Sequence, residues 1–307
     1  RNSWSLNNRW KFDTGIRYSY FDNLDKLYFE PRISIIYKIK QNLSLELSYG
    51  EHNQFIHKQD KENNSNFNIN SRFLSSSKIP TILSKNFQAG THWNKNDYNL
   101  STTFYLKSLS NFFKPEWSFS FEDYISDNNE NIDPGYGKIK GLEIQFRKKS
   151  GMITGWLSYH NSNTKYQLSD FNEGKLFFAD YDKNHELKIV MLGQIFNTNV
   201  SASWVFSSGR PFTSLENLYV ESGSGYKIFS KGKYNNERVK SSHHLDISLV
   251  KNIEVSKVGI ELGFSIYNLY NKKNTAHKRY NPFSRELSIK DISMFGITPS
   301  IFTKISF

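Results

Sequence analysis

Apolar and polar side chains alternate with a period of two along most of this chain. The clearest apolar rows cover residues 10–20, 27–39, 43–49, 87–93, 98–106, 142–146, 153–159, 187–195, 200–206, 245–249, 258–266 and 301–307. Such alternation places one set of side chains on each face of a β-strand, and helical spacing would not separate the two sets. The pattern therefore predicts twelve strands, and Trp4 and Leu6 mark a candidate thirteenth.

The connections between these strands alternate between short and long. Short ones lie at 7–8, 40–42, 94–97, 148–151, 197–199 and 252–257, and long ones cover roughly 51–82, 108–137, 163–185, 209–240 and 269–294, while the connection near 21–26 is shorter than these. Long loops without secondary structure are uncommon in compact soluble domains. Transmembrane barrels, in contrast, have tight periplasmic turns and long outer loops. If the C-terminus is periplasmic, counting the strands backwards assigns every long connection to the outer side.

Composition narrows the class of protein further. The 307 residues carry a formal net charge of +11, contain no Cys, and are 37% hydrophobic and 16% aromatic. The absence of Cys excludes disulfides and thiolate chemistry, and the absence of a long apolar run excludes transmembrane helices. The aromatic content argues against disorder. A basic soluble all-β protein and an outer-membrane β-barrel remain.

The two faces of the predicted strands differ in chemistry. One face is apolar over about the 9–11 residues that a tilted barrel strand needs to cross the hydrocarbon. The other carries Ser, Glu, Asp, Gln, Lys, Arg and Gly, which suits a water-filled or plugged interior. Aromatic residues near the row ends fit two interfacial girdles, although strand propensity also explains them; they are Trp10, Tyr20, Tyr37, Trp93, Tyr98, Tyr159 and Trp204. We therefore predict an all-β fold, a transmembrane antiparallel β-barrel, because such a barrel satisfies its backbone hydrogen bonds internally.

Several short segments occur in an order that is typical of one family. They are Phe29-Glu30-Pro31-Arg32, Gly141-Leu142-Glu143, Gly155-Trp156-Leu157-Ser158-Tyr159, Asp182-Lys183-Asn184-His185, Ser208-Gly209-Arg210-Pro211, His244-Leu245-Asp246 and Tyr267-Asn268-Leu269-Tyr270-Asn271-Lys272-Lys273-Asn274, followed by the terminal Phe307. No single segment is specific. The ordered set over residues 29–307 resembles the C-terminal part of a TonB-dependent outer-membrane receptor barrel of the type abundant in Bacteroidota.

The resemblance implies a 22-stranded barrel with a plugged lumen, an N-terminal plug domain and a TonB box. Residues 1–307 are interpreted as an outer-membrane β-barrel segment of about twelve strands, and neither plug nor TonB box is found in them. The chain also begins at Arg1 without Met or a signal segment, so we expect a fragment or a processed piece. Either the rest lies outside this numbering, another chain completes the barrel, or a twelve-stranded barrel stands alone.

A few residues have predicted structural roles within this fold. Gly141, Gly155 and Gly209 are expected to allow bulges or close approach of backbones. Pro211 is expected to end strand pairing where the chain enters a long loop. The terminal Phe307 resembles the signal read by the outer-membrane assembly machinery, and a simple rim aromatic is the alternative.

Candidate sites for chemistry are weak. His243 and His244 are neighbours on a predicted strand, so their side chains point to opposite faces and cannot easily share a metal. His160, Asp182 and His185 offer nitrogen and oxygen ligands near the outer ends of neighbouring strands, but the resemblance assigns them to a structural feature. No Ser-His-Asp arrangement, phosphate loop or carboxylate pair stands out. We therefore predict no catalytic, cofactor-binding or metal site, no cofactor and no enzymatic activity.

Basic residues cluster in two of the long connections. One contains Lys227, Lys231, Lys233, Arg238 and Lys240, and the other Lys272, Lys273, Lys278 and Arg279. A solvated surface is the simplest interpretation, and contact with lipopolysaccharide phosphates or steering of anionic solutes stays open. Nucleic-acid binding is not expected, because no such motif accompanies the charge.

The leading functional hypothesis is an outer-membrane TonB-dependent receptor that takes up a nutrient through a plugged β-barrel. Loops 51–82, 108–137 and 209–240 would form the binding vestibule. The expected partners are outer-membrane lipid and lipopolysaccharide, the TonB complex through a plug not present here, a surface lipoprotein lid and a small nutrient ligand.

The alternative hypothesis is a barrel component of a larger cell-envelope assembly that binds partner proteins through its outer loops, without transport. A soluble basic β-protein is a further candidate. An outer-membrane enzyme is the weakest, because no catalytic constellation is found.

Overall fold

Antiparallel β-structure dominates the computed structural model, which describes residues 2–62, 68–112, 134–220, 227–256, 258–280 and 289–307. The strands are β1 (Asn2–Ser5), β2 (Trp10–Phe21), β3 (Lys26–Lys40), β4 (Leu43–Gln54), β5 (Ile56–Glu62), β6 (Asn68–Leu74), β7 (Ile82–Lys95), β8 (Tyr98–Phe112), β9 (Gly135–Lys148), β10 (Ile153–Gln167), β11 (Phe177–Phe178), β12 (His185–Ile195), β13 (Thr198–Ser207), β14 (Pro211–Phe212), β15 (Leu215–Val220), β16 (Lys227–Lys231), β17 (Glu237–Arg238), β18 (Ser242–Val255), β19 (Val258–Tyr267), β20 (Thr275–Tyr280), β21 (Ile289–Ser293) and β22 (Thr298–Ser306). Short 3-10 helices span Asp22–Leu24 and Asn172–Gly174. No helix of the described residues has the length and hydropathy of a membrane-spanning helix.

Fourteen strands of the described residues form the main sheet, in the order β1-β2-β3-β4-β7-β8-β9-β10-β12-β13-β18-β19-β22, with β11 paired to β10. The twelve predicted rows correspond to β2 through β22 along this path, and β1 is the thirteenth strand indicated by Trp4. Several strands are longer than their apolar rows; β9 begins at Gly135, for instance, whereas the row begins at Leu142. The predicted all-β antiparallel fold is confirmed, in the form of this sheet.

The long connections differ from the prediction, because they contain strands of their own. The hairpins β5–β6, β15–β16 and β20–β21 and the short pair β14–β17 lie within them as separate two-stranded sheets. Period two does not predict these strands, because they lack a regular apolar row; β5, for example, reads Ile-His-Lys-Gln-Asp-Lys-Glu. Most of the predicted loop 108–137 lies outside the described residues.

The chain divides into two compact units. Unit 1 consists of Arg1–Thr91, Phe104–Gly141 and Thr164–Ala179, and unit 2 of His92–Thr103, Leu142–Asn163 and Asp180–Phe307. Each unit contains consecutive strands of the main sheet and can be described separately.

In unit 1, the strand register brings the apolar rows of β2, β3 and β4 side by side. Tyr18 is opposite Phe29 and Phe12 is opposite Ile35, and Ile35 is in turn opposite Leu47. Because side chains at i and i+2 share a face, the rows merge into one continuous apolar face. The charged and small polar residues of the same strands form the other face.

Unit 2 has the same arrangement over β10, β12, β13, β18, β19 and β22. Met191 of β12 is opposite Gly155 of β10 and Ala202 of β13. At the other end of the unit, Phe264 of β19 is opposite Ile301 of β22. A second continuous apolar face results, with Ser and charged residues on the face opposite.

Burial on this sheet is inverted relative to a soluble protein. In unit 1, Glu30 is only 2% exposed, whereas Ile16 and Leu27 are 57% and 61% exposed. In unit 2, Ile301 is 80% exposed. The buried apolar residues of the described segments lie largely in the connections, as Ile79, Leu168 and Phe171 do. Large exposed apolar faces of this kind are typical of surfaces that contact lipid.

Short turns are built from residues that suit them. The Oδ1 atom of Asn7 accepts hydrogen bonds from the backbone N–H groups of Arg9 (2.8 Å) and Trp10 (2.9 Å), an Asx arrangement that reverses the chain. Between β12 and β13, Phe196 and Asn197 have φ of 45° and 57°, the pattern of a two-residue type I′ hairpin. This turn lies one residue earlier than the predicted 197–199.

Two of the three singled-out glycines stand where backbones approach closely, as predicted. A Cβ at Gly155, whose φ is +152°, would lie 2.0 Å from the carbonyl oxygen of Val190, and a Cβ at Gly209 would lie 1.5 Å from that of Val239. The role predicted for Pro211 is wrong in detail. Pairing of β13 ends earlier, at Ser207, and Pro211 itself belongs to β14, paired with β17.

Candidate functional site: the polar face and the loop cluster

The polar face of unit 1 contains a buried carboxylate between two arginines. The Oε2 atom of Glu30 lies 3.5 Å from Arg17 Nε and 3.8 Å from Arg32 Nη2. Its other oxygen, Oε1, accepts a hydrogen bond of 2.6 Å from the backbone N–H of Asn53. Arg17 and Glu30 are cross-strand partners in β2 and β3, so the register of the sheet brings these charges together. A buried carboxylate needs such compensation, because burial without a partner is costly.

A second group of polar residues, here called the loop cluster, lies in unit 2 and consists of Asp180, Asp182, Tyr234, Asn235 and Arg238. Asp180 Oδ1 accepts hydrogen bonds from Tyr234 Oη (2.7 Å) and Asn235 Nδ2 (2.8 Å). Arg238 Nη2 donates to the Asp182 carboxylate, and its Nη1 donates to the Asp182 carbonyl at 3.0 Å. The cluster therefore attaches the predicted vestibule loop 209–240 to the segment before β12.

Arg238 is the central residue of the loop cluster. Its Nη1 also donates to the carbonyl oxygen of Gly209 at 2.9 Å, so one guanidinium connects three backbone or carboxylate oxygens. The Asp182 side chain is fully buried, whereas that of Arg238 is 28% exposed. The carboxylate therefore depends on the guanidinium for charge compensation, because water cannot reach it in its place. The sequence predicts Arg238 as one member of a basic surface cluster, and nothing near it in the chain indicates the pairing with Asp182.

The candidate ligands His160, Asp182 and His185 are not brought together as a metal site. His160 lies between Glu143 (Nε2 to Oε1, 3.7 Å) and Glu186 (Nδ1 to Oε2, 3.8 Å). Asp182 pairs with Arg238, and His185 Nδ1 lies 2.8 Å from Tyr159 Oη. Among the described residues, no three His, Cys, Asp or Glu side chains are grouped as metal ligands.

His243 and His244 have separate surroundings, as predicted from their positions on one strand. His243 Nε2 is 2.6 Å from Lys272 Nζ, and its Nδ1 is 2.6 Å from Tyr270 Oη. His244 Nε2 instead lies 3.4 Å from Asp246 Oδ2. Because an ammonium group only donates, Lys272 must donate to Nε2, so Nδ1 carries the proton and donates to Tyr270.

His57 is a buried histidine in the connection 51–82, beyond the strands of the main sheet. It is 4% exposed, and its Nε2 lies 2.9 Å from Ser75 Oγ. Burial lowers the pKa of the His57 imidazole from its usual 6.5 to about 4. The neutral ring holds the base of the β5–β6 hairpin together.

The predicted basic clusters are partly neutralised by acidic or aromatic neighbours. Lys278 Nζ lies 3.2 Å from Asp291 Oδ1 and 5.1 Å from the ring centre of Phe212. Lys233 and Lys240 are exposed, and Arg238 belongs to the loop cluster. The side chains of Lys227 and Lys231 lie outside the described residues.

Comparison with known proteins identifies the family. A family model described as TonB dependent receptor-like, beta-barrel, matches residues 1–269. This chain belongs to that family. Its members are outer-membrane β-barrel proteins, in agreement with the exposed apolar faces of both units. The chain is therefore an outer-membrane protein, and its antiparallel sheet matches the TonB-dependent receptor barrel. A comparison with curated protein sequences gave no match.

Solved structures of outer-membrane receptors share the fold of the TonB-dependent receptor barrel described here. The ferric yersiniabactin uptake receptor FyuA from Yersinia pestis matches with a TM-score of 0.64 and 12% identity, over 99% of this chain and 44% of that one. The siderophore receptor PirA from Acinetobacter baumannii matches with a TM-score of 0.62 and 11% identity, over 99% of this chain and 44% of that one. The FrpB iron transporter from Neisseria meningitidis (F3-3 variant) matches with a TM-score of 0.61 and 11% identity, over 99% of this chain and 43% of that one. The chain thus spans less than half the length of these structures.

Proposed function

We propose that residues 1–307 form part of the barrel wall of a TonB-dependent receptor that takes up a nutrient across the outer membrane. The observation that carries this proposal is the inverted burial of the sheet, with exposed apolar rows on one face and buried charges such as Glu30 on the other. A wall of this kind meets lipid outside and a polar lumen inside. In such a receptor the wall supplies groups that bind the solute and prevents free exchange of solutes across the membrane. The energy for transport comes from the TonB complex.

The proposal includes a plug domain and a TonB box in a part of the protein other than residues 1–307. The matched structures are more than twice as long as this chain, which agrees with such an additional part. The TonB complex would act on the plug, and the described strands would remain as the fixed wall.

Iron chelates are the first substrate class to test. The matched structures include a ferric yersiniabactin uptake receptor and a siderophore receptor. The net charge of +11 suits attraction of an anionic chelate toward the mouth of the barrel. Cobalamin, glycans and peptides are the competing classes, because the outer loops that select the solute differ between receptors.

The vestibule of this receptor would include the loop 209–240, held in a defined position by the loop cluster. Asp180 and Asp182 anchor Tyr234, Asn235 and Arg238. Binding residues on loops are effective when a rigid scaffold positions them. A loop that is fixed near its C-terminal end can keep the residues that contact a solute in place when the solute binds.

The experiment is an uptake assay with the full-length protein in cells that lack their own copy. We expect accumulation of one labelled solute class, lost when the TonB complex is deleted and lost when the plug domain alone is removed. Unchanged uptake after either deletion would exclude the energised mechanism. Purification with stoichiometric partner proteins, together with no uptake of any solute, would instead favour a barrel component of an envelope assembly.

A further inference from the structure

A row of three positions on the polar face of unit 1 places an arginine between two glycines. Gly15 of β2 is opposite Arg32 of β3, and Arg32 is opposite Gly50 of β4. Side chains directly opposite each other on neighbouring strands normally fill the space between them. Here neither neighbour has a side chain, so the Arg32 guanidinium stands in a depression of the wall.

This depression is a cavity of about 350 Å³. Its lining includes Arg17, Arg32, His52, Asn86 and Gln88, together with Ser48. Asn86 and Gln88 carry amides, Ser48 a hydroxyl and His52 an imidazole. The amide and guanidinium groups are hydrogen-bond donors. The polar part of the lining is therefore rich in donors, and Ile16, Ile33 and Tyr49 complete the wall of the cavity.

The charge at the cavity is positive. Arg17 and Arg32 share the single carboxylate of Glu30, at 3.5 and 3.8 Å, distances longer than those of charge-assisted hydrogen bonds. Their side chains stay 64% and 48% exposed. Asp13 also lines the cavity, but Lys11 Nζ lies 3.3 Å from its Oδ2 and balances its charge.

His52 adds a directed donor. Its Nδ1 lies 3.2 Å from Arg32 Nη2. A guanidinium only donates, so Nδ1 must accept, and the neutral ring then carries its proton on Nε2. Arg32 thus sets the tautomer of His52 and leaves the Nε2–H available beside Gly50, whose added Cβ would lie 3.4 Å from that atom.

We propose that this cavity is an anion site that binds a carboxylate or phosphate group through Arg17, Arg32 and the Nε2–H of His52. Paired guanidinium groups recognise such planar or multi-oxygen anions with bidentate hydrogen bonds. The anion belongs either to a solute in the lumen or to an acidic side chain of polypeptide that fills the lumen. The site rests on the proposed function only in so far as the polar face is the lumen face, and it requires no energised transport.

The test uses the full-length receptor, purified in detergent, with Arg32→Gln and Arg17→Gln as variants and Arg147→Gln as the matched control. Inorganic phosphate and citrate are the probes, measured by isothermal titration calorimetry at low salt. If the anion comes from a solute, at least one probe binds, and each cavity variant weakens it by about tenfold or more. Arg147 is exposed on β9 and does not line the cavity, so its variant binds as the parent does.

The second arm addresses a polypeptide source. In that case neither probe binds to the intact receptor, and each cavity variant accelerates amide hydrogen exchange about tenfold in the lumen-filling segment, which the control does not. Using two variants keeps the test decisive if one fails to fold. Probe binding that is insensitive to Arg32 and Arg17, equal effects of Arg147→Gln, or neither binding nor altered exchange overturns the site. Uptake is assayed separately, so failure of the anion site and failure of transport are distinguishable.

Discussion

At the scale of single residues, the ion pair between Arg238 and Asp182 in the loop cluster fixes the C-terminal part of loop 209–240. We expect Arg238→Gln to destabilise this region by about 3 kcal/mol, because the fully buried Asp182 carboxylate loses its charged partner. Hydrogen exchange of residues 234–242 in the full-length protein measures the loss. Lys240→Gln, at an exposed position two residues away, serves as the control and should leave exchange unchanged. Equal exchange in both variants would contradict the role assigned to Arg238.

His57 gives a pH dependence with a defined sign. Its pKa is lowered from 6.5 to about 4, so between these values the unfolded hairpin binds a proton that the folded one does not. Stability of β5–β6 is therefore complete above about pH 6.5 and falls as the pH drops toward 4, by roughly 3 kcal/mol in total.

Amide exchange of residues 56 and 74, compared at pH 7.5 and 4.5, measures this change. A His57→Gln variant keeps a polar side chain near Ser75 but does not titrate. Its exchange should show no pH dependence beyond the intrinsic chemical rate, and a persistent dependence would assign the effect to another group.

At the scale of an element, β10 and β12 meet at a glycine that admits no side chain. We expect Gly155→Ala to cost about 2 kcal/mol, because its φ is +152° and a Cβ would lie 2.0 Å from the carbonyl oxygen of Val190. Gly259→Ala is the control, since a Cβ there lies at an ordinary 3.9 Å from Ser306. Thermal denaturation of the detergent-solubilised receptor compares the two.

The faces of β13 provide a test of which side meets lipid. Ala202 lies on the apolar face between Met191 and Ile247, whereas Ser201 lies on the polar face between Leu192 and Ser248. Ala202→Arg should destabilise the folded protein in bilayers by about 2 kcal/mol, because a charged side chain on the lipid face is destabilising, most of all near the bilayer midplane. Ser201→Arg should be tolerated, because its side chain lies on the polar face. Urea unfolding in lipid vesicles measures both, and the opposite order would invert the assignment of faces.

At the scale of the whole molecule, the two ends of the strand order need partners. β1 and β22 each pair on one side among the described residues, and all nine residues of β22 are exposed. An unpaired edge cannot lie in hydrocarbon. We expect the amides of β22 to be protected from exchange in the full-length receptor and to exchange rapidly in residues 1–307 expressed alone. Equal protection in both would indicate that the chain completes its own edges.

The sequence predicts well where the strands of the main sheet lie and which side chains share a face. It does not predict the hairpins in the connections or the contacts of buried polar residues. The row Val258–Ile266 corresponds to β19, because alternation is a local property that each strand carries in its own residues. The hairpin β5–β6 cannot be predicted in this way, since its strands have no apolar row. The segment Phe29-Glu30-Pro31-Arg32 points to the family, but nothing local indicates that Glu30 is buried.

What the sequence by itself determined is the existence of the long strands of the main sheet, their two chemically distinct faces and the family. The strands and their faces follow from the two-residue alternation, and the family follows from short ordered segments. Both signals are local, because each can be read from a short stretch of sequence alone. Only the tertiary structure decided which charges meet: Arg238 pairs with Asp182 from 56 residues away, and Arg32 stands between Gly15 and Gly50. The physical reason is that such contacts depend on register between strands, and a shift of one residue would turn every side chain to the other face.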